Sequence, residues 1–148
     1  MIRLELPWVP PSSNHAYFNL ATGGRTLSTA GKKFKIDTTT HLARVYPKEM
    51  LFFKADKPLL VFMRFQFENV ENSGFATGKA KRRYKTFDGG NRTKLLEDAL
   101  KDAGGIDDAQ TLTSIWQKVR GPTEHTTIWC WSLEEESTPF DATLRSLT

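Results

Sequence analysis

The sequence predicts a small single α+β domain, a mixed β-sheet with two main helices. Three observations carry that expectation. The chain has 148 residues, the length of one domain. Leu59 to Glu68 (LLVFMRFQFE) puts Leu59, Val61, Met63, Phe65 and Phe67 on one face and Arg64, Gln66 and Glu68 on the other, as a half-buried strand does. Asn91 to Ala103 instead spaces Leu95, Leu96, Ala99, Leu100 and Ala103 along one helical arc. Strands and helices do not alternate regularly, which favours α+β over a doubly wound sheet.

The other elements follow in chain order. Ile2, Leu4 and Leu6 alternate with Arg3 and Glu5, a first strand stopped by Pro7, Pro10 and Pro11. PPSSNHAYFNLATGGRT reads as an extended loop with a turn at Gly23-Gly24. Ser28 is placed to cap a helix from Thr29 to Val45, closed before Pro47, although Thr38, Thr39 and Thr40 weaken it. Residues 69–86 lack periodicity and read as a basic, mobile loop. Leu112–Val119 and Thr126–Leu133 are two further strands, joined across Gly121-Pro122. The domain is expected over residues 1–134, with 135–148 a flexible tail.

Composition narrows the class. Hydrophobic residues make up 39%, and no apolar run approaches the ~18–20 residues of a membrane span. MIRLELPWVPPSSN lacks the apolar stretch of a signal peptide, so a cytoplasmic protein with no membrane partner is expected. A single cysteine, Cys130, excludes an intramolecular disulfide and a multi-cysteine zinc site. His15, His41 and His125 offer no pair at metal-ligand spacing. The net charge is +4, but its distribution says more. Lys79, Lys81, Arg82, Arg83, Lys85, Arg92 and Lys94 share a window with one acid, Asp88, so that window is +6 and the rest of the chain −2. Clustering of that kind suits a polyanion. A solvated loop is the plainer alternative.

The chemistry lies in Phe87 to Gln110 (FDGGNRTKLLEDALKDAGGIDDAQ). Asn91, Lys94, Asp98, Lys101 and Asp102 share the helix arc opposite the leucines. A helix starting at Asn91 has Arg92 and Lys94 in its first turn and Asp102 in its last, where the dipole disfavours each by about 0.3–1 kcal/mol. Asp88 precedes the helix and Asp107-Asp108 follows it, across about 20 Å at ~1.5 Å per residue. These acids meet only if the flanking loops fold back or a second chain brings its own set. Converging carboxylates would suit Mg²⁺ or Mn²⁺, and metal plus lysine equips water to attack a phosphodiester. Alternatively, Asp107-Asp108 simply completes a Gly-Gly turn. Phe87, beside the basic loop, is placed to wedge against a base. Trp116, Trp129 and Trp131 are better read as packing.

Together, Asp88, Asn91, Lys94, Asp98 and Gly104-Gly105-Ile106-Asp107-Asp108 resemble the core motif of the RusA family of Holliday junction resolvases. Pro10 to Asn14 (PPSSN) is similar to that family's opening Pro-Pro-Ser-x-Asn, and Arg25 to Phe34 (RTLSTAGKKF) to its Leu-Ser-x-x-Gly-Lys segment. The pattern departs at Gly90, where many members carry a second Asp. The resemblance implies a homodimer that binds four-way DNA junctions in recombination and repair, in a bacterial or phage-infected cell. It implies paired symmetric nicks made with Mg²⁺, or with Mn²⁺. By matching position, Asp88, Asp107 and Asp108 would be metal ligands and catalytic, and Lys94 would stabilise charge on the phosphate. Asn91 and Asp98 would support the site. Asn14, Lys32, Lys33, Lys35, Lys79, Lys81, Arg82, Arg83, Lys85, Phe87 and Arg92 would hold the DNA. Two alternatives stand beside this expectation: a catalytically impaired branched-DNA-binding protein, and a small RNA-binding protein whose acids are turn residues.

Overall fold

The computed structural model describes residues 1–87, 89–134 and 138–141, without the side chains of Ser13, Asn14 and Asp108. Two long helices lie against a four-stranded mixed sheet, so the expected α+β class holds. Strand β1 (Ile2–Leu6) buries Leu4 and Leu6 as its alternation requires. The segment expected to be an extended loop is more ordered. It forms a single helical turn, α1 (Ser13–Ala16), then a hairpin of β2 (Tyr17–Asn19) and β3 (Arg25–Leu27). Three-residue strands are too short to show a period, and the turn depends on Gly23 and Gly24 at φ +84° and +90°.

Helix α2 spans Thr29–Val45, and the Ser28 hydroxyl caps it by accepting from the Gly31 amide at 3.1 Å. Two of its three consecutive threonines are tertiary ties rather than helix breakers. Thr38 is buried and accepts from the Trp8 indole N–H at 3.1 Å, and Thr39 donates to the Ala99 carbonyl at 3.4 Å. A 3-10 segment, Glu49–Lys54, then sets Met50 and Phe53 into the core.

Strand β4 (Leu59–Phe67) is central, parallel to β5 (Thr111–Arg120) and antiparallel to β6 (His125–Ser132). The order β1-β6-β4-β5 separates β5 from β6, so the Gly121-Pro122 connection passes across the end of β4 rather than forming a hairpin. Helix α3 (Gly89–Gly104) makes the β4-to-β5 crossover and buries Leu95, Leu96, Ala99 and Leu100. Residues 69–86, expected to be mobile, close into a hairpin at their base. Glu71 pairs with Tyr84, and the Asn72 side chain donates to the carbonyls of Arg82 and Tyr84 at 2.7 and 3.2 Å. From the tail expected to be flexible, Phe140 packs on Phe62 and Trp131, with ring centres 5.5 and 6.3 Å apart.

Candidate functional site at the two ends of α3

Helix α3 begins at Gly89, two residues before the expected start. A Cβ on Gly89 would overlap the Trp116 indole, so glycine is what lets the helix start lie against β5. Lys94 is therefore the sixth helical residue, in the second turn, where the dipole penalty anticipated for it has faded. It is exposed and makes no hydrogen bond or ion pair among the described residues. Asp88 lies outside the described residues. Gly90 is exposed, with nothing within 4 Å of a Cβ built on it.

The far end of α3 turns at Gly105, φ +78°, into Ile106 and Asp107. Asp107 lines a cleft with Glu97, Ile106, Thr111 and Ser114. Glu97 accepts from the Ser114 hydroxyl at 3.1 Å, and Asp107 Oδ1 accepts from the Ala109 amide at 3.0 Å. Buried Gln110 fixes the segment: its Oε1 accepts from the Asp107 amide and its Nε2 donates to the Ala55 carbonyl, both at 2.8 Å. Asp108 opens a short 3-10 turn, and its side chain is among those not described.

Glu97 and Gln110 were not singled out from the sequence. Glu97 sits three residues from Lys94 on α3, which a wheel centred on the leucines assigns merely to the flank. Gln110 directly precedes a strand and shows no pattern of its own. Asp98 goes elsewhere. It lies near Tyr17, whose phenol is held above its ordinary pKa by burial and then by the Asp98 charge. Asp98 thus belongs to the β2–β3 side rather than to the cleft. Asp102, at odds with the dipole, is explained by Lys35 of α2 at 2.9 Å. Asn91 is half-buried near the start of α3.

The cations expected on DNA divide into groups. Lys79, Lys81 and Arg82 are exposed on the hairpin and make no ion pair among the described residues. Arg83 is engaged by Glu71 at 2.9 Å, a hydrogen-bonded pair that raises its pKa. Lys33 pairs with Asp37 at 2.6 Å, while Lys32 lines a separate groove with Ile36 and Asp102. The Asn14 side chain lies outside the described set. Arg92 turns inward: it donates to the Pro10 carbonyl and lies 5.3 Å from both the Phe67 and Phe87 rings. Phe87 does not stand free as a wedge. It packs against Phe65, Phe67 and Trp116 at 5.5, 5.7 and 5.0 Å, because those rings offer an apolar seat beside the sheet. Cys130 is fully buried, and burial pushes its thiol pKa far up, so it is not a nucleophile.

Among the described residues no three His, Cys, Asp or Glu side chains cluster as a metal site, and no helix is long and apolar enough to cross a membrane. No protein-family model matches the chain, and no curated protein sequence matches it. The RusA resemblance therefore rests on the motif residues.

Proposed function

We propose that this protein is a metal-dependent endonuclease that resolves four-way DNA junctions, working as a homodimer in the cytoplasm. The observation that carries the chemistry is the cleft beside α3. It joins two carboxylates, Glu97 and Asp107, with the hydroxyls of Thr111 and Ser114. Lys94 projects from the same helix about one turn away, ~4.5 Å of rise. Junction DNA as the substrate rests on the motif residues quoted above and on the exposed cations of the hairpin.

The donor set fits the implied metal. Every polar group in the cleft is a hard oxygen, the choice of Mg²⁺ or Mn²⁺, and Mg²⁺ commonly takes only one or two carboxylates alongside water and phosphate. Asp107 and Asp108 would hold it, with Glu97 as an added ligand or base, and Asp88, which precedes the opposite end of α3, would join them only from a second copy of the chain. When bound, the metal would act as a Lewis acid that offsets charge on the phosphate oxygens and orients the attacking water. Water adds to phosphorus, one P–O ester bond breaks, and the leaving oxygen takes up a proton. Lys94 offsets the charge that gathers on the phosphate oxygens. Gln110 keeps the Asp107-Asp108 segment in place through its two hydrogen bonds.

One observation favours a second reading, a branched-DNA-binding protein that does not cut: Gly90 leaves the position of the second motif carboxylate empty. Incubation of a labelled four-way junction and its matched duplex with Mg²⁺, Mn²⁺ or EDTA decides between the two. Paired, metal-dependent nicks confined to the junction, lost in Asp108→Asn, support the nuclease. Tight junction binding without nicks supports the second reading, and no junction preference sinks both.

A further inference from the structure

A second cavity lies at the other end of α3, about 230 Å³, the room of about seven or eight waters at ~30 Å³ each and so enough for one phosphate group. Phe67 and Phe87 line it, and three elements each bring a cation: Lys85 from the hairpin, Arg92 from α3 and Lys118 from β5. Glu124 is the one acid in its lining and makes no ion pair among the described residues. Two of the three cations, Arg92 and Lys118, are positioned before any ligand arrives. Arg92 is held by the Pro10 carbonyl and the two rings. Lys118 donates to the Lys85 carbonyl at 3.0 Å and lies 5.8 Å from the Phe87 ring centre, which leaves two of its three N–H groups uncommitted among the described residues. Three cations from three elements converge on one site, an arrangement that an anion complements.

We propose that this pocket grips a backbone phosphate of the bound DNA through Lys85, Arg92 and Lys118. The proposal rests on the DNA-binding reading and gives Lys118, outside the basic sequence window, a direct role. Aromatic rings beneath Arg92 and Lys118 keep water from solvating them fully, so each of these two charges acts more strongly than one on the exposed hairpin.

The test measures affinity for a four-way junction and its duplex by fluorescence anisotropy across a salt series. Lys118→Gln is expected to weaken both about 3–10-fold and to lower the slope of log K against log salt by about one. Lys118→Arg keeps the slope, and Glu124→Gln tightens binding. Lys48→Gln and Glu49→Gln, at the 3-10 segment packed under the opposite end of α3, serve as charge-matched controls. If the pocket variants move affinity no more than these controls, the pocket is not a phosphate site. Loss of junction preference with a persisting Lys118 effect overturns the resolvase reading alone. Should the chain bind no DNA, inorganic phosphate titrated into ¹⁵N-labelled protein decides: shifts confined to the pocket uphold the site, and none overturns it.

Discussion

The two ends of α3 share a packing plan and differ in how their charges are answered. At each end a glycine lets the helix rest on an aromatic ring: Gly89 on Trp116, and Gly104 on Phe53, where a Cβ would sit 2.8 Å from the ring. At the C-terminal end the acids have local partners, Asp102 with Lys35 and Asp107 with the Ala109 amide. At the N-terminal end Lys85, Lys94 and Lys118 make no ion pair among the described residues. Among the described residues the fold thus accounts for much of the acidic end and leaves Lys85, Lys94 and Lys118 without an ion pair. Such lysines, on or beside the helix that borders a carboxylate cleft, suit an anionic substrate.

The largest expected effects fall on catalysis. Lys94→Ala should slow single-turnover junction cleavage by about 10²–10³-fold, the range seen when one charge-stabilising donor is removed. Asp107→Asn should slow it as much while junction affinity changes only a few-fold. Undiminished cleavage by Lys94→Ala would take that lysine out of the chemistry and leave only the acidic end.

Stability comes next. Phe87→Ala removes contact with three rings, and because Phe87 is half-buried we expect about 2–4 kcal/mol, below or at the lower part of the core range. At ~2–4 °C per kcal/mol for a chain of this size, that lowers Tm by roughly 5–15 °C. At the acidic end Gln110→Leu strands the Asp107 amide and the Ala55 carbonyl, each costing about 1–3 kcal/mol if it stays dry. An unchanged melt for Phe87→Ala would show that the ring packs for no structural purpose and return it to the role of a wedge.

Adjacent glycines sharpen the contrast further. Gly89→Ala forces the Trp116 ring aside and should cost about 1–3 kcal/mol, whereas Gly90→Ala, in open space, should gain about 0.5–1 kcal/mol from helix propensity. Gly90→Asp fits the same space and restores the motif carboxylate, so metal-dependent nicking should rise. Equal melts for Gly89→Ala and Gly90→Ala would mean that the Trp116 contact yields freely.

Much of the fold was legible because its long elements carry long periods. The α2 bounds, the Ser28 cap, the β4 face and the buried arc of α3 all follow from spacing. Short or non-local features were not. The β2–β3 hairpin has no period to read, the hairpin at 69–86 closes through an asparagine latch, a few backbone bonds and the Arg83–Glu71 pair, and the insertion of β6 between β1 and β4 is set by tertiary packing. At the candidate site, Lys94 and Asp107 were singled out by the motif resemblance rather than by periodicity. Glu97 and Lys118 entered only through neighbours distant in sequence, Ser114 for one and Lys85 with Phe87 for the other.

The smallest expected effect tests the comparison most strictly. Asp102→Asn loses a half-exposed pair with Lys35 but also removes an anion from a helix C-terminus, so two terms of about 0.3–1 kcal/mol oppose each other. The net change in the melt should be near zero, and only a double-mutant cycle with Lys35→Gln isolates the pair. That coupling should be about 0.2–1 kcal/mol at low salt and shrink in 1 M salt, where the Debye length is about 3 Å. Lys94→Gln should leave the melt unchanged at either salt, because Lys94 has no partner to lose among the described residues. A coupling of that size for Asp102 with none for Lys94, while Lys94 alone governs cleavage, separates charge kept for the fold from charge kept for the substrate. If instead Lys94→Gln destabilises the fold in a salt-sensitive way, Lys94 is a structural residue and the two ends of α3 do not differ in kind.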